Sequence, residues 1–305
     1  MPILKLLLAA FVLYALIVVG LIDDGKYVFP ADQLIDFASV DLPLAFAGTE
    51  ERYAYVTVMI EDTPLRLMID TGHFAPISIS TEVLDTLAVK FIGARIHRDA
   101  DGNLYRSREF IVPTLRLGEL ELQDVPGIEN HTSPFDDDGT VGDGLLRYFN
   151  VVFNYQGKTL TLYRNDHYPE IIDEPGWSVF PLISPPQFAV QFDGLDQTYR
   201  IGLDSGCGYT TVPKASPLGC ALCAAFGEGE DHRVADGRTG AACYLYELDR
   251  CLFDGVYDLG PTTCVVSDMP GFMGNGLLGY DVFWNNTVFF DNAKGEVWLR
   301  PARQP

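Results

Sequence analysis

The feature that most constrains this chain is an internal repeat in which three blocks recur in the same order. The two copies of each block are LMIDTGHFAPISIS (67–80) and IGLDSGCGYTTVPK (201–214), HRDADGNLY (97–105) and HRVADGRTG (232–240), and GDGLLRYFNVVFNYQGKTLTLYR (142–164) and GNGLLGYDVFWNNTVFFDNAKGEVWLRP (274–301). The spacing also agrees, with 74 residues from Asp70 to Gly144 and 72 from Asp204 to Gly276. Such a repeat predicts two similar structural units built from one chain.

The sequence between these landmarks is typical of short strands and turns. Alternating runs such as YAYVTVMI (53–60) predict strands, long amphipathic helical periods are nearly absent, and Gly and Pro are scattered as turn residues. We therefore predict an all-β body with an N-terminal lobe at 49–165 and a C-terminal lobe at 178–303. The acidic, proline-containing segment 166–177 is predicted to be a linker, and residues 23–48 a tether.

The N-terminus carries seventeen uninterrupted apolar residues at 6–22, after Lys5 and before Asp23. This length suits a short membrane span, so residues 1–22 predict a transmembrane anchor or a cleaved signal. The charges on either side place the body outside the cytoplasm. The simple anchor and the compact lobes suggest a bacterial periplasm, and cleavage of the segment would release the body into the medium.

Charge and cysteine content narrow the partners and the environment. The net charge of −21 argues against nucleic acid, which needs clustered Lys and Arg. The six cysteines all lie in the second half, and an even number in an exported protein predicts disulfides or else inert thiols. The pair in CALC (220–223) lacks a second pair of ligands at zinc-binding spacing.

The first repeated block places an aspartate at the end of an apolar strand in each copy, Asp70 and Asp204. A carboxylate buried there must find a partner or take up a proton. A pseudo-twofold axis would bring the two together, with one protonated and the other acting as a base. Such a pair can activate a water for attack on an amide carbonyl, so both aspartates are predicted to be catalytic in peptide hydrolysis.

The residues around the aspartates suit this chemistry. Glycines allow sharp turns, hydroxyls can hydrogen-bond across the interface, and Asp-Gly pairs favour hairpin tips that could form flaps over a cleft. The residues in these three roles are, in order, Gly72 and Gly206, then Thr71 and Ser205, then Asp101-Gly102 and Asp236-Gly237.

With these motifs the chain resembles an aspartic protease of the pepsin and retropepsin superfamily, whose D-[ST]-G signatures match residues 70–72 and 204–206. GLLG (276–279) is similar to the family's hydrophobic-hydrophobic-Gly element, and GLLR (144–147) is a weaker counterpart. The resemblance implies a bilobal fold of two similar β-barrel lobes with the active site between them. It also implies endopeptidase activity on peptide or protein substrates, no cofactor or metal, and a monomer that holds both lobes.

Three residues depart from the family pattern. His73 and Cys207 follow the two turns, and Arg147 stands where the second copy has Gly279. His73 could shift the proton affinity of the aspartates or point into solvent, and Arg147 could alter packing behind Asp70. Two alternatives therefore stay open: a protease-like fold that binds peptides without cutting them, and a zymogen whose residues 23–48 occupy the cleft.

Overall fold

The structure, a computed structural model, describes residues 37–47, 51–98, 104–131, 137–182, 187–227, 231–232, 243–268 and 274–302. As predicted, these residues are mostly β. The strands of the first half are β1 (Ser39–Pro43), β2 (Ala45–Ala47), β3 (Tyr53–Ile60), β4 (Thr63–Asp70), β5 (Ile77–Ser80), β6 (Lys90–Arg98), β7 (Leu104–Leu117), β8 (Leu120–Asn130), β9 (Gly139–Gly142), β10 (Phe149–Asn154) and β11 (Thr159–Arg164).

The second half contributes strands β12 (Ser178–Pro181), β13 (Gln187–Phe192), β14 (Tyr199–Leu203), β15 (Thr210–Pro213), β16 (Asp231–His232), β17 (Cys243–Leu248), β18 (Cys251–Phe253), β19 (Tyr257–Asp258), β20 (Thr262–Ser267), β21 (Leu277–Leu278), β22 (Asn286–Asp291) and β23 (Glu296–Pro301). The helices in the described residues are short: α1 (Thr81–Leu84), α2 (Asp143–Leu146), α3 (Pro217–Phe226), α4 (Tyr280–Asn285) and a 3-10 helix at Glu170–Asp173.

Three sheets organise these strands. The first runs β2-β3-β4-β9-β5-β8-β7-β6, and it is barrel-like because β3 also pairs with β7. The second runs β16-β17-β20-β15-β21-β14-β13-β18-β19. The third, β1-β11-β10-β22-β23-β12, takes strands from both halves and joins them where β10 pairs with β22.

The same local topology occurs in the first and second sheets. In the first, β4 is parallel to β9, β9 is antiparallel to β5, and β5 is parallel to β8. In the second, β14, β21, β15 and β20 repeat this order and these directions. Each aspartate thus lies at or just after the end of a central strand of its own sheet. The neighbouring strands on both sides fix the backbone of that strand.

The tether prediction fails for part of residues 23–48. Residues 39–43 pair along β11, and residues 45–47 pair along β3. The cause is a short alternating pattern: Val40 and Leu42 point inward and are buried, while the residues between them are exposed. This part of the segment therefore belongs to the sheets and does not occupy a cleft.

The proposed anchor, residues 1–22, lies outside the described residues. None of the helices in the part of the chain that the structure describes is long and apolar enough to cross a membrane.

The disulfide prediction is wrong for the five cysteines whose side chains are described, because Cys207, Cys220, Cys223, Cys251 and Cys264 are all unbridged. Cys251 on β18 and Cys264 on β20 are fully buried, and burial raises the pKa of both thiols. These two act as small apolar core residues, in line with the alternative of inert thiols.

Candidate active site

The structure brings Asp70 and Asp204 together between the first and second sheets. Asp70 is the last residue of β4, and Asp204 directly follows β14. The Gly72 amide donates to Asp70 Oδ1 (2.8 Å) and to Asp204 Oδ1 (3.1 Å), while the Gly206 amide donates to Asp204 Oδ1 (2.8 Å). The two carboxyl groups are also hydrogen-bonded to each other. Both predicted catalytic residues therefore share one site.

Each turn glycine makes room for the carboxyl group of the other turn. A Cβ at Gly72 would lie 2.7 Å from Asp204 Cγ, and a Cβ at Gly206 would lie 2.6 Å from Asp70 Oδ1. Both distances are below any ordinary carbon contact. The predicted need for glycine thus has a direct cause, the close approach of the opposite carboxyl group.

The two hydroxyl residues lock the turns to one another. The Thr71 amide donates to Ser205 Oγ (3.1 Å), and the Ser205 amide donates to Thr71 Oγ1 (3.0 Å). Each hydroxyl then donates to a strand carbonyl of the opposite half, Ser205 to Ile69 (3.0 Å) and Thr71 to Leu203 (3.5 Å). This reciprocal set fixes the separation of the aspartates without using their carboxyl groups.

The two carboxyl groups are in unequal environments. Asp204 is 7% exposed, whereas Asp70 is half-buried. Burial first, and then the charge and hydrogen bond of Asp70, raise the pKa of Asp204 to about 8, against smaller lowering effects from the Gly206 amide and the Cys207 thiol. Asp204 therefore holds a proton at neutral pH.

Two of the three residues that depart from the family pattern, His73 and Cys207, lie at this site. Cys207 Sγ donates to Asp204 Oδ2 (3.3 Å). His73 does not direct its ring into solvent, because Nε2 is buried and makes no hydrogen bond among the described residues. Burial lowers the pKa of His73 to about 4, although the charge of Asp204 opposes this shift. His73 is thus neutral near pH 7.

The third repeated block aligns differently in the structure than in the sequence. Asp70 pairs with Gly142, and the Asp204 amide donates to the carbonyl of Leu278, next to Gly279. A Cβ at Gly142 would lie 2.6 Å from the His73 carbonyl oxygen, and one at Gly279 would lie 2.5 Å from the Cys207 carbonyl oxygen. The glycine behind Asp70 is therefore Gly142, in its expected role.

Arg147 consequently does not replace a structural glycine, and that prediction is wrong. Arg147 follows α2 and forms an exposed ion pair with Asp143. The true counterpart of GLLG (276–279) is GTVG (139–142), whose first glycine, like Gly276, has a positive φ, at 149° and 121° respectively. The shared G-x-x-G spacing was a signal that the sequence analysis missed.

The two predicted flap tips follow β6 and β16 in the chain. Asp101, Gly102, Asp236 and Gly237 all lie outside the described residues. The strands that lead to them are paired, β6 with β7 as far as Arg98–Leu104, and β16 with β17 as far as His232–Cys243.

A charged pair beside the second turn was also missed. Arg52, just before β3, forms an ion pair with Asp281 on α4 (2.8 Å). Its two members are 229 residues apart in the chain, so no local pattern marks them.

A comparison with known protein families gives a match in the first half of the chain. Residues 56–148 match the family model described as Aspartyl protease. The matched segment contains the Asp70 turn and β9, which together form the first half of the site. No curated protein matches the chain. The match supports an aspartic protease family for this protein.

Proposed function

We propose that this chain is an aspartic endopeptidase in which Asp70 and Asp204 share one proton and activate water. The observation that carries the proposal is the contact of the two carboxyl groups, held by turn amides and glycines from both halves. Two carboxyl groups this close cannot both ionise easily, so one keeps its proton while the other is ionised. Acid-base catalysis by a pair requires this singly protonated state.

The unequal environments suggest separate roles for the two aspartates. Ionised Asp70, the more exposed, takes a proton from a water whose oxygen attacks the peptide carbonyl carbon. Protonated Asp204 gives its proton to the carbonyl oxygen, which produces a tetrahedral diol. In the second step Asp70 passes its proton to the leaving nitrogen, Asp204 regains one from a diol hydroxyl, and the C–N bond breaks.

The surrounding fold supports this chemistry by limiting motion. The Thr71 and Ser205 hydrogen bonds and the central strands leave little freedom to the two turns. Preorganised groups of this kind lower the cost of reaching the reactive geometry. We extend the proposal to a bilobal pepsin- or retropepsin-like fold, with lobes at 49–165 and 178–303, a linker at 166–177, and an extended peptide between the lobes.

The rival function, binding without cleavage, loses one of its two supports. Arg147 lies outside the site, and Gly142 fills the position that Arg147 appeared to alter. His73 remains, but its ring is neutral near pH 7 and leaves both aspartates in contact.

We also keep the expectation that residues 6–22 hold a monomer at a membrane, with its body outside the cytoplasm. Membrane fractionation of cells that express the full chain tests this expectation.

Peptide cleavage by the full chain in detergent micelles tests the proposed function. We would incubate it with a diverse peptide library at several pH values between about 3 and 8, and detect new termini by mass spectrometry. We expect cleavage by the wild type and by a control variant at an exposed turn residue, Asp193→Asn. We expect a loss of about 10²- to 10⁴-fold in Asp70→Asn and in Asp204→Asn.

Two outcomes would overturn the proposal. One is a folded wild type that cuts no peptide at any pH, and the other is full activity in either of the two active-site variants.

A further inference from the structure

Arg52 crosses from the first half of the chain to the second beside the Asp204 turn. Its Nη1 lies 2.8 Å from Asp281 Oδ1, and both side chains are largely buried, at 16% and 12% exposure. Asp281 Oδ2 accepts a further hydrogen bond from the Thr263 amide (2.7 Å). The ion pair thus connects the start of β3 to α4 and β20.

The same guanidinium contacts the segment that leaves the Asp204 turn. It lies 4.4 Å from the Tyr209 ring centroid and 5.4 Å from the Tyr280 ring centroid, and Nη1 is 3.5 Å from the Gly208 carbonyl oxygen. A planar guanidinium can stack on aromatic rings and pair with a carboxylate at once. Arg52 therefore holds residues 208–209 and the start of α4 together.

These two segments are the ones that support Asp204. The Tyr280 amide donates to the Cys207 carbonyl (2.8 Å), and the Asp204 amide donates to the Leu278 carbonyl (2.9 Å). Gly279 packs closely against the Cys207 and Tyr209 carbonyls. The two segments therefore have little room to move relative to one another. A shift of α4 would therefore move the Asp204 turn.

The Asp70 turn is built differently at the corresponding place. Because Gly142 corresponds to Gly279, the counterpart of Asp281 on α2 is Gly144, which has no side chain to form an ion pair. The Arg147–Asp143 pair is exposed and joins only the first residue of α2 to the residue that follows this helix. The cross-half ion pair is thus specific to the Asp204 side.

We propose that Arg52 is a positioning residue, which through Asp281 and the Tyr209 and Tyr280 rings holds the Asp204 turn in hydrogen-bonding contact with Asp70. This inference rests on the proposed function, since it concerns the geometry of the same two carboxyl groups. Without Arg52, the buried Asp281 carboxylate would be left uncompensated. It would take up a proton or move toward water, and α4 would move with it.

The chain offers a matched control in a second ion pair of similar construction. Arg300 Nη1 lies 2.7 Å from Glu174 Oε2, and its guanidinium is 4.7 Å from the Trp177 ring centroid. This pair connects β23 of the third sheet to residues 174–177. Arg300→Gln therefore removes an ion pair and a ring contact from another part of the molecule, with a carboxylate partner that is more exposed, 42% for Glu174 against 12% for Asp281.

Kinetics of a peptide that the wild type cuts would test the role of Arg52. We expect Arg52→Gln to lower kcat by about 10- to 100-fold with KM changed less than about 2-fold, because misplaced catalytic groups slow the chemical step. Arg52→Lys should recover part of kcat. The double variant Arg52→Gln/Asp281→Asn leaves no uncompensated charge and should fold, but it should keep the low kcat because it also lacks the ion pair and the guanidinium contacts with Tyr209 and Tyr280. Arg300→Gln should lower the unfolding midpoint but keep kcat.

Several results would overturn the inference. They are an unchanged kcat in Arg52→Gln, an equal loss in Arg300→Gln, or a fully active double variant. If the wild type cuts no peptide, the proposed function fails separately, and the carboxyl titration of Asp204 by ¹³C NMR decides the inference. Arg52→Gln should then lower the pKa of Asp204 by weakening its contact with Asp70, and an unchanged pKa would refute the positioning role.

Discussion

At the residue scale, the neighbours of the two aspartates decide which one carries the proton. Asp204 is buried beside Cys207 and receives amides from both turns, whereas Asp70 is half-buried. The two D-[ST]-G motifs led us to expect that the aspartates meet, each with a turn glycine, and the structure brings these residues together. The motifs could not predict this asymmetry, because it depends on how deeply each carboxyl group is buried after the halves meet.

The raised pKa of Asp204 makes stability depend on pH. In the unfolded chain this carboxyl group has its ordinary pKa of 3.8, so between about pH 4 and 8 only the folded state holds the proton. The stabilisation is complete below pH 4 and is lost as pH rises through 8. His73 acts in the opposite direction, but only between its folded pKa of about 4 and its ordinary 6.5.

Between pH 6.5 and 8 we therefore expect the free energy of unfolding of the wild type to fall by roughly 1–2 kcal/mol more than that of Asp204→Asn. Urea unfolding of both proteins at the two pH values measures this difference. An identical pH dependence in the two proteins would show that Asp204 does not hold a proton in the folded state.

At the element scale, the two halves share a hydrogen-bonding pattern that sequence identity only partly reveals. Aligning GDGLLRY with GNGLLGY gives more identical letters than aligning GTVG with GLLG. The strands nevertheless pair so that Gly142 and Gly279 occupy the corresponding places. Backbone hydrogen bonds decide this alignment, since the residue after each glycine donates to the matching turn carbonyl, Asp143 to His73 and Tyr280 to Cys207.

Substitutions at the two candidate glycine positions should therefore differ sharply. Gly142→Ala places a Cβ against the Ala75 and His73 carbonyls, so we expect a loss of about 1–3 kcal/mol of stability and a lower kcat/KM. Arg147→Ala removes only an exposed ion pair, so we expect a change within about 0.5 kcal/mol.

Chemical denaturation and peptide kinetics on the two variants test this alignment. The opposite ranking, with Arg147→Ala the more damaging, would restore the alignment that the sequence suggested.

At the scale of the whole molecule, the third sheet unites the two halves. Its strands come from residues 39–43, 149–164, 178–181 and 286–301, so its formation requires both ends of the described chain. The sequence predicted the β class and the repeat. It could not predict this sheet, because pairing between strands more than 100 residues apart leaves no local pattern, and β1 was assigned to a tether for that reason.

The role of β1 can be measured by deletion. Removal of residues 1–47 also removes Val40, Leu42 and Leu44, which are 8%, 2% and 5% exposed. Loss of these buried side chains should lower the free energy of unfolding by roughly 5 kcal/mol relative to a chain that lacks only residues 1–36. Equal stability of the two shortened chains would mean that β1 and β2 together contribute little to the fold.

The central claim is that Asp70 and Asp204 share one proton across the contact between the halves. Its most direct test is the pH titration of the Asp204 carboxyl carbon by ¹³C NMR, in the wild type and in Asp70→Asn. We predict a pKa near 8 in the wild type and a clearly lower one in Asp70→Asn, because the neighbouring negative charge is gone. A pKa near 4 in both proteins would mean that the two carboxyl groups ionise independently, and it would contradict the shared proton.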